Sequence, residues 1–124
     1  MNPQDTDTRT PDEVNRHIAE LMGWKYVPDP VGGVRSAHWQ HSTGVWRDYV
    51  PDYYHDLNAL HDGPEATLRA AALKLSVDVY LDHAVVSWWS DERARTNPEI
   101  TAPTEAAARA LAAEAALREM QEAK

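Results

Sequence analysis

A stretch of 24 residues, from His38 to His61, carries most of the side chains in this chain that could do chemistry. It holds four of the six histidines, two of the five tryptophans and three of the five tyrosines. Such rings combine a flat apolar face with a polar edge, so their clustering is typical of either a core seam or a recognition surface. The sequence leaves both interpretations open.

Seven residues in and beside this stretch could together hold a planar anion. Arginine and histidine bind phosphate or carboxylate groups, while tryptophan and tyrosine stack on a planar base. If two strands pair around a two-residue turn at Ser42 and Thr43, His38 lies opposite Arg47 and Tyr49 shares their face. The alternative is a solvated sheet face with ordinary surface cations. The candidate ligand-binding residues are Arg35, His38, Trp39, His41, Arg47, Tyr49 and Tyr53.

The four histidines of this stretch are also ligands that zinc accepts, but their spacing argues against a metal centre. His38 and His41 are three apart on a predicted strand and turn, where they converge only if the turn twists one of them. The chain has no cysteine, and His55 and His61 belong to no HExxH motif. We therefore predict no metal and no other cofactor.

A Ser42, His41 and Asp48 triad is the one nucleophilic arrangement that the stretch offers. Ser42 stands in a polar turn and lacks the strand–turn–helix context that exposes a catalytic serine. No catalytic residues are predicted, and the protein is expected not to be an enzyme.

The charge and composition of the chain limit the classes of partner that it can bind. The net charge is −8, and residues 35–61 carry only −1 of it, against −3 for residues 1–34 and −4 for residues 62–124. Duplex nucleic acid is disfavoured as a partner, because its binding depends on clustered lysine and arginine. No apolar run approaches the roughly 18 residues of a membrane span, and the N-terminus is polar rather than signal-like. A cytoplasmic protein that does not engage a membrane is expected.

The first part of the chain predicts one helix and three short strands. Thr10, Pro11 and Glu13 form a helix start with an N-cap, a proline at the first position and a capping box. That helix is predicted to end near Met22. The strands are predicted over residues 24–27, 35–40 and 45–50. Residues 1–9 are expected to be a disordered lead-in to a single domain, residues 10–124.

The second part predicts helices around one hairpin. From Ser76 the apolar period changes to two, which favours strands over the alternative of a helix that continues to Trp89. The predicted elements are helices over 52–61 and 65–75 broken at Gly63-Pro64, strands over 76–81 and 84–89, a loop or weak edge strand over 92–100, and a helix from 101 towards 124. The order predicts an α+β fold, a helix/sheet/helix sandwich with a mostly antiparallel sheet.

Because the chain has no phenylalanine, its tryptophans are expected to supply much of the core. Trp24, Trp39 and Trp46 are the predicted contributors. Trp88 and Trp89 point to opposite sides of a strand, so at least one of them should be buried.

Four segments resemble the phage ABA-sandwich family, small proteins of phages and prophages. They are NRHIAELMGW (15–24), VPDYYHDLNALH (50–61), the Ala/Leu-rich 66–75 and TAPTEAAARALAAEAA (101–116). Two positions depart from the family pattern: Tyr54 replaces a serine, leaving Asp52 or Asp56 to cap a helix, and Gly63-Pro64 interrupts a helix. The resemblance implies a helix/sheet/helix fold and a phage origin, and it brings no catalytic residues.

These observations favour a binding protein over an enzyme. The first hypothesis is an oligomeric phage counter-defence protein that sequesters a nucleotide-like anionic signalling molecule. On this hypothesis Arg47→Lys weakens binding, while Arg109→Lys on the last helix does little. The alternative is an acidic inhibitor of a host defence protein such as a nuclease, in which carboxylates occupy a groove for phosphates.

Overall fold

A computed structural model describes residues 9–27, 38–47, 49–90 and 99–122 of the chain. Arg35, Asp48, most of the predicted lead-in, the start of the predicted 35–40 strand and most of the predicted 92–100 loop lie outside these ranges. The helices are α1 (Pro11–Leu21), α2 (Leu57–Asp62), α3 (Pro64–Ala70) and α4 (Glu105–Glu122). The strands are β1 (Trp24–Tyr26), β2 (Trp39–His41), β3 (Trp46–Arg47), β4 (Lys74–Val79), β5 (Ala84–Trp89) and β6 (Ile100–Ala102).

The predicted α+β class with antiparallel pairing is confirmed. The strands form two three-stranded sheets, ordered β1-β2-β3 and β4-β5-β6, and all the paired strands run antiparallel. None of the helices in the described ranges combines the length and the apolar character needed to cross a membrane.

Helix α1 begins as its sequence predicts. The Thr10 hydroxyl accepts a hydrogen bond from the Glu13 backbone N–H, and the Glu13 carboxylate accepts one from the Thr10 N–H, both at 3.2 Å. Gly23 follows the helix with φ +99°, a left-handed conformation that favours glycine. The helix is thereby closed within one residue of the predicted end, and the chain turns directly into β1.

The predicted register of the β2–β3 hairpin is wrong by one residue. Trp39, rather than His38, lies opposite Arg47, and Gln40 lies opposite Trp46. Arg47 therefore shares a sheet face with Trp39 and not with His38.

An additional residue in the turn causes this shift. The His41 N–H donates to the Val45 carbonyl and the Gly44 N–H donates to the His41 carbonyl, both at 2.8 Å, so the loop spans residues 42–44. Gly44 closes it with φ +97°. A three-residue hairpin loop that ends in a left-handed residue is a recurrent alternative to the two-residue turn.

The two middle helices are shorter than predicted. Residues 52–55 form a turn, and α2 begins only after Asp56, whose carboxylate accepts hydrogen bonds from the N–H groups of Asn58 and Ala59 at 2.9 and 3.3 Å. Asp56 therefore takes the capping role that the sequence offered to Asp52 or Asp56. The break at Gly63-Pro64 is confirmed, because α3 starts at Pro64.

Helix α3 ends five residues before the predicted Leu75 because Ala72 adopts φ +66°. The Leu73 N–H donates to the Leu68 carbonyl at 3.1 Å and the Ala72 N–H to the Arg69 carbonyl at 3.0 Å. These two bonds define a Schellman motif, in which the left-handed position is usually glycine.

We expect Ala72→Gly to raise the free energy of unfolding by about 0.5–1 kcal/mol. Glycine relieves the left-handed strain at Ala72, which outweighs its larger backbone entropy in the unfolded chain. Ala70→Gly, at the last helical position of α3, should instead lower stability by up to a similar amount, because no left-handed strain is relieved there. Urea unfolding of both variants measures the two shifts, and a destabilised Ala72→Gly protein would contradict the strain argument.

The second sheet contains the predicted hairpin. Val77 pairs with Val86, and Val79 pairs with Ala84 across a four-residue tip. The alternative of a helix continuing to Trp89 is wrong. Every second residue of β5 is buried, which directs Trp88 towards α4 and leaves Trp89 half-exposed on the opposite face.

Trp88 and Trp39 are the buried tryptophans of the described ranges, at 0% and 8% exposure. Trp24 and Trp46 are only half-buried, so the prediction that they supply much of the core is wrong. Both lie in the three-stranded sheet β1–β3, whose strands of two or three residues offer little surface to cover them.

Helix α4 is buried on two sides, since it packs against α1 and against β5 and β6. The Thr104 hydroxyl caps it by accepting from the Ala107 N–H at 3.1 Å. Small side chains allow this close packing on two sides. Along α4, Ala107, Ala110 and Leu117 are buried, whereas Leu111 and Ala115 are half-buried.

Two buried carboxylates connect these layers. Glu65 of α3 is fully buried and accepts from the Arg109 guanidinium through both oxygens, one of them 2.8 Å from Nε. Glu114 of α4, 3% exposed, accepts from Arg9 at 2.6 and 2.8 Å and lies 2.7 Å from Nδ1 of His17. Hydrogen bonding to Glu65 raises the pKa of Arg109 despite partial burial. Buried charges require such complete pairing.

Candidate functional site

A cleft of about 290 Å³ opens between α1 and the sheet β1–β3. It lies near the lower end of the volume range of small-molecule sites. Three aromatic rings, one imidazole and polar groups of α1 line it. The lining residues are Asp12, Asn15, Arg16, Tyr26, His38, Trp39, Tyr49 and Val50.

Aromatic rings form one wall of the cleft. Tyr26 and Trp39 are paired across β1 and β2, and their rings meet edge to face with centroids 5.4 Å apart. Tyr26 is 50% exposed and Tyr49 62% exposed, whereas Trp39 is buried. The two tyrosine rings therefore offer open surface in a cleft that the buried Trp39 also lines, an arrangement suited to stacking on a planar ligand.

His38 extends this wall. Its ring stacks on Tyr26 with centroids 5.8 Å apart, and its Nδ1 lies 3.1 Å from the Val27 carbonyl oxygen. That contact requires a proton on Nδ1, so Nε2 of the neutral ring is an acceptor.

Helix α1 supplies the opposite wall and the charge. Asp12 and Arg16 are exposed and one helical turn apart. Arg16 makes no ion pair with another residue in the parts of the chain that the structure describes. Its guanidinium is thus available for a phosphate or carboxylate, and the Asp12 carboxylate can accept from an amino or hydroxyl group.

Asn15 fixes the position of α1 beside the cleft. Its side-chain amide donates to Asp52 at 3.0 Å and accepts from the Tyr54 backbone N–H at 2.9 Å. Burial raises the pKa of Asp52, but the hydrogen bond from Asn15 and the contact with His55 outweigh it, so the pKa lies below its usual range. The Asp52 carboxylate therefore stays ionised, and its hydrogen bond with Asn15 connects α1 to residues 52–54.

Arg47 lies beside the cleft rather than in it. Its guanidinium carbon is 4.2 Å from the Trp24 ring centroid and 5.9 Å from that of Tyr49. Burial raises the pKa of the Tyr53 hydroxyl, and the neighbouring Arg47 guanidinium opposes this rise. Arg47 thus places a positive charge beside Tyr49, at the edge of the cleft.

His41 shares a sheet face with Trp39 but does not line the cleft. Its Nε2 lies 3.0 Å from the Met22 carbonyl oxygen and its Nδ1 lies 2.9 Å from the Thr43 hydroxyl. Both ring nitrogens are therefore engaged with groups other than Ser42, and Asp48 lies outside the described residues.

The four histidines of the ring-rich stretch are separated from one another. His38 and His41 contact backbone carbonyls, whereas His55 pairs with Asp52 at 2.9 Å and His61 with Asp62 at 3.1 Å. Over the described ranges, no three histidine, aspartate or glutamate side chains come together in a way that could hold a metal ion.

The structure brings part of the predicted site together. His38, Trp39 and Tyr49 line the cleft, Arg47 borders it, Tyr53 is buried at 2% exposure, and Arg35 lies outside the described residues. The sequence interpretation missed Arg16 and Tyr26. Tyr26 could have been predicted, because the alternation of side chains along β1 places it on the same sheet face as Trp24. The pattern of α1, in contrast, does not show which of its exposed residues faces the sheet.

No protein-family model, curated protein or solved structure matches this chain.

Proposed function

We propose that this protein binds a planar, anionic small molecule of nucleotide type in the cleft between α1 and β1–β3, and that it does so without catalysis. The observation that carries the proposal is the convergence of two open tyrosine rings, Tyr26 and Tyr49, with the Arg16 guanidinium on one cleft. Stacking favours a planar base and the guanidinium favours an anionic group.

Each group that lines the cleft matches one part of such a ligand. The base stacks on the exposed tyrosine rings, with Trp39 as the buried support. The phosphate or carboxylate contacts Arg16, while Arg47 contributes positive charge from the edge. The Asp12 carboxylate selects a ligand that carries an amino or hydroxyl donor as well as its anionic group.

We further propose that the protein is a phage accessory protein that acts in the host cytoplasm. The four segments that resemble the phage ABA-sandwich family support this origin. An oligomeric counter-defence protein that sequesters a nucleotide immune signal fits a cleft of this composition. Sequestration needs tight binding and no chemistry, which agrees with the choice of a binding protein over an enzyme.

Native mass spectrometry of the protein purified from cells tests the proposal and gives the mass of the ligand in the same measurement. We expect a retained molecule of a few hundred daltons that carries phosphate or carboxylate and is released on denaturation. Arg16→Gln should abolish its retention, while Arg118→Gln, at an exposed site on α4, should leave it unchanged. A retained molecule without an anionic group, or one that Arg16→Gln holds equally well, would contradict the proposal.

The second candidate, an acidic inhibitor of a host defence protein, is favoured by the net charge of −8. An inhibitor of this type requires that a cationic groove on the partner accept carboxylates in place of phosphates. Its affinity would fall steeply with salt and would be indifferent to Tyr26→Leu. Ligand binding in the cleft would be sensitive to that substitution.

A further inference from the structure

Strand β4 forms the edge of the second sheet. It pairs with β5 on one side, and no strand of the described ranges pairs with its other side. The strand is six residues long, Lys74–Val79, and contains neither proline nor glycine. Edge strands of this length without such interruptions are ready to pair with another strand.

The hydrogen-bonding groups at this edge follow from the hairpin tip. The Tyr80 N–H donates to the His83 carbonyl at 2.7 Å, so Tyr80 and every second residue before it face β5. Leu75, Val77 and Val79 consequently direct their backbone N–H and C=O groups to the open edge. The edge thus offers a complete row of donors and acceptors.

The side chains of β4 are complementary to those of a second copy. In an antiparallel pair centred on Ser76, Lys74 lies opposite Asp78 of the other copy, and Leu75 lies opposite Val77 of the other copy. Both charge pairs fall at non-hydrogen-bonded positions, where facing side chains are closest. The Lys74 ammonium lies 4.9 Å from the Trp89 ring centroid, and its three donors allow a carboxylate contact in addition.

Exposed apolar residues lie beside this edge, at the end of β4 and in the hairpin tip that follows it. Val79 is 61% exposed, Tyr80 is 55% exposed and Leu81 is fully exposed at the hairpin tip. In the centred pair, Val79 lies opposite Leu73 of the other copy, the last position before that chain turns at Ala71 and Ala72. Three consecutive exposed apolar residues are typical of an interface.

We propose that two copies of the protein associate through β4, antiparallel and centred on Ser76, to form one continuous six-stranded sheet. The alternating signs of Lys74 and Asp78 allow this register and disfavour shifted ones, which would place like charges together or leave them unpaired. The interface is formed by the second sheet, whereas the ligand cleft belongs to the first, so the dimer stands independently of the proposed ligand.

A single cysteine tests the register directly. The chain contains no cysteine, so Ser76→Cys can form a disulfide only with a second copy. Facing residues at the centre of the pair are about 4.5 Å apart at Cα, within disulfide range. We expect mild oxidation to convert most of Ser76→Cys to a covalent dimer, whereas Ser42→Cys, exposed in the β2–β3 turn, stays largely monomeric at the same concentration. Equal cross-linking of the two variants, or none in Ser76→Cys, would overturn the proposal.

A charge exchange tests the pairing without covalent capture. Lys74→Asp and Asp78→Lys should each weaken dimerisation by about tenfold or more, because each places like charges opposite one another twice. The double exchange should restore the wild-type dissociation constant within about threefold, and Glu20→Lys on exposed α1 should leave it unchanged. Sedimentation over a concentration series measures these constants. A monomeric wild type, or a double variant no better than the single ones, would rule out this interface, and the edge would then be left for a strand of another protein.

Discussion

Arg109→Leu is expected to lower the free energy of unfolding by about 3–5 kcal/mol. The Glu65 carboxylate is fully buried and receives two hydrogen bonds from the Arg109 guanidinium. Leucine fills the space of the arginine stem but leaves an uncompensated negative charge in the interior. Chemical denaturation, with circular dichroism as the signal, measures the loss.

Two further variants separate the buried charge from the packing of Arg109. Arg118→Leu, on the exposed side of the same helix, should change stability by no more than about 0.5 kcal/mol. Glu65→Leu combined with Arg109→Leu should recover much of the loss, because an apolar pair has no charge to desolvate. A double variant less stable than Arg109→Leu would show that packing, not charge, dominates. Because Arg109 is paired with the buried Glu65, Arg109→Lys is unsuitable as a neutral control in ligand-binding experiments. A substitution of Arg118 serves as that control instead.

Trp88→Ala is expected to destabilise the protein by about 3–5 kcal/mol. Trp88 is fully buried on the central strand of the second sheet, and its face of β5 packs against α4. Truncation leaves a cavity that the alanine side chains of α4 are too small to fill.

Trp89 provides the matched comparison, since it is next in sequence but half-exposed on the other face. Trp89→Ala should cost well under half as much, with the lost contact to Lys74 as its main component. Equal losses from the two substitutions in thermal or urea unfolding would contradict the assignment of Trp88 to the core.

The parts of the fold that the sequence predicted correctly are those with strong local patterns. The capping box at Thr10, the break at Gly63-Pro64 and the change of period at Ser76 are each visible within a few residues of sequence. The cap and the proline act on the local backbone, and apolar alternation follows the two-residue repeat of a strand with one buried face.

The errors arose at positions where the local sequence pattern does not specify the conformation, the loop length or the buried side. Ala72 closes α3 in the left-handed region, a position where glycine is the usual signal. Gly44 gave the correct signal for a turn but not its length, and one additional residue exchanged the faces of β2 relative to β3. A helix such as α4, buried on two sides, likewise has no single apolar stripe to detect.

Only the part of the candidate site that is local in the sequence could be predicted. His38, Trp39 and Tyr49 are close together in the sequence, and local clustering placed them in one neighbourhood. Arg16 comes from α1, and its approach to the sheet depends on Asn15 bridging to the segment at residues 52–54. A contact across almost forty residues is a property of the tertiary fold.

Calorimetric titration with a panel of cyclic and linear nucleotides tests the central claim most directly. We expect at least one to bind with a dissociation constant well below 1 mM. Arg16→Gln should weaken it by about 10- to 100-fold, the effect of losing one charge-assisted contact. Arg47→Lys should also weaken binding, because lysine keeps the charge but not the planar guanidinium that lies 5.9 Å from the Tyr49 ring. Arg118→Gln should bind like the wild type. Affinities weaker than about 1 mM for every nucleotide, or equal affinities for wild type and Arg16→Gln, would contradict a nucleotide site in this cleft.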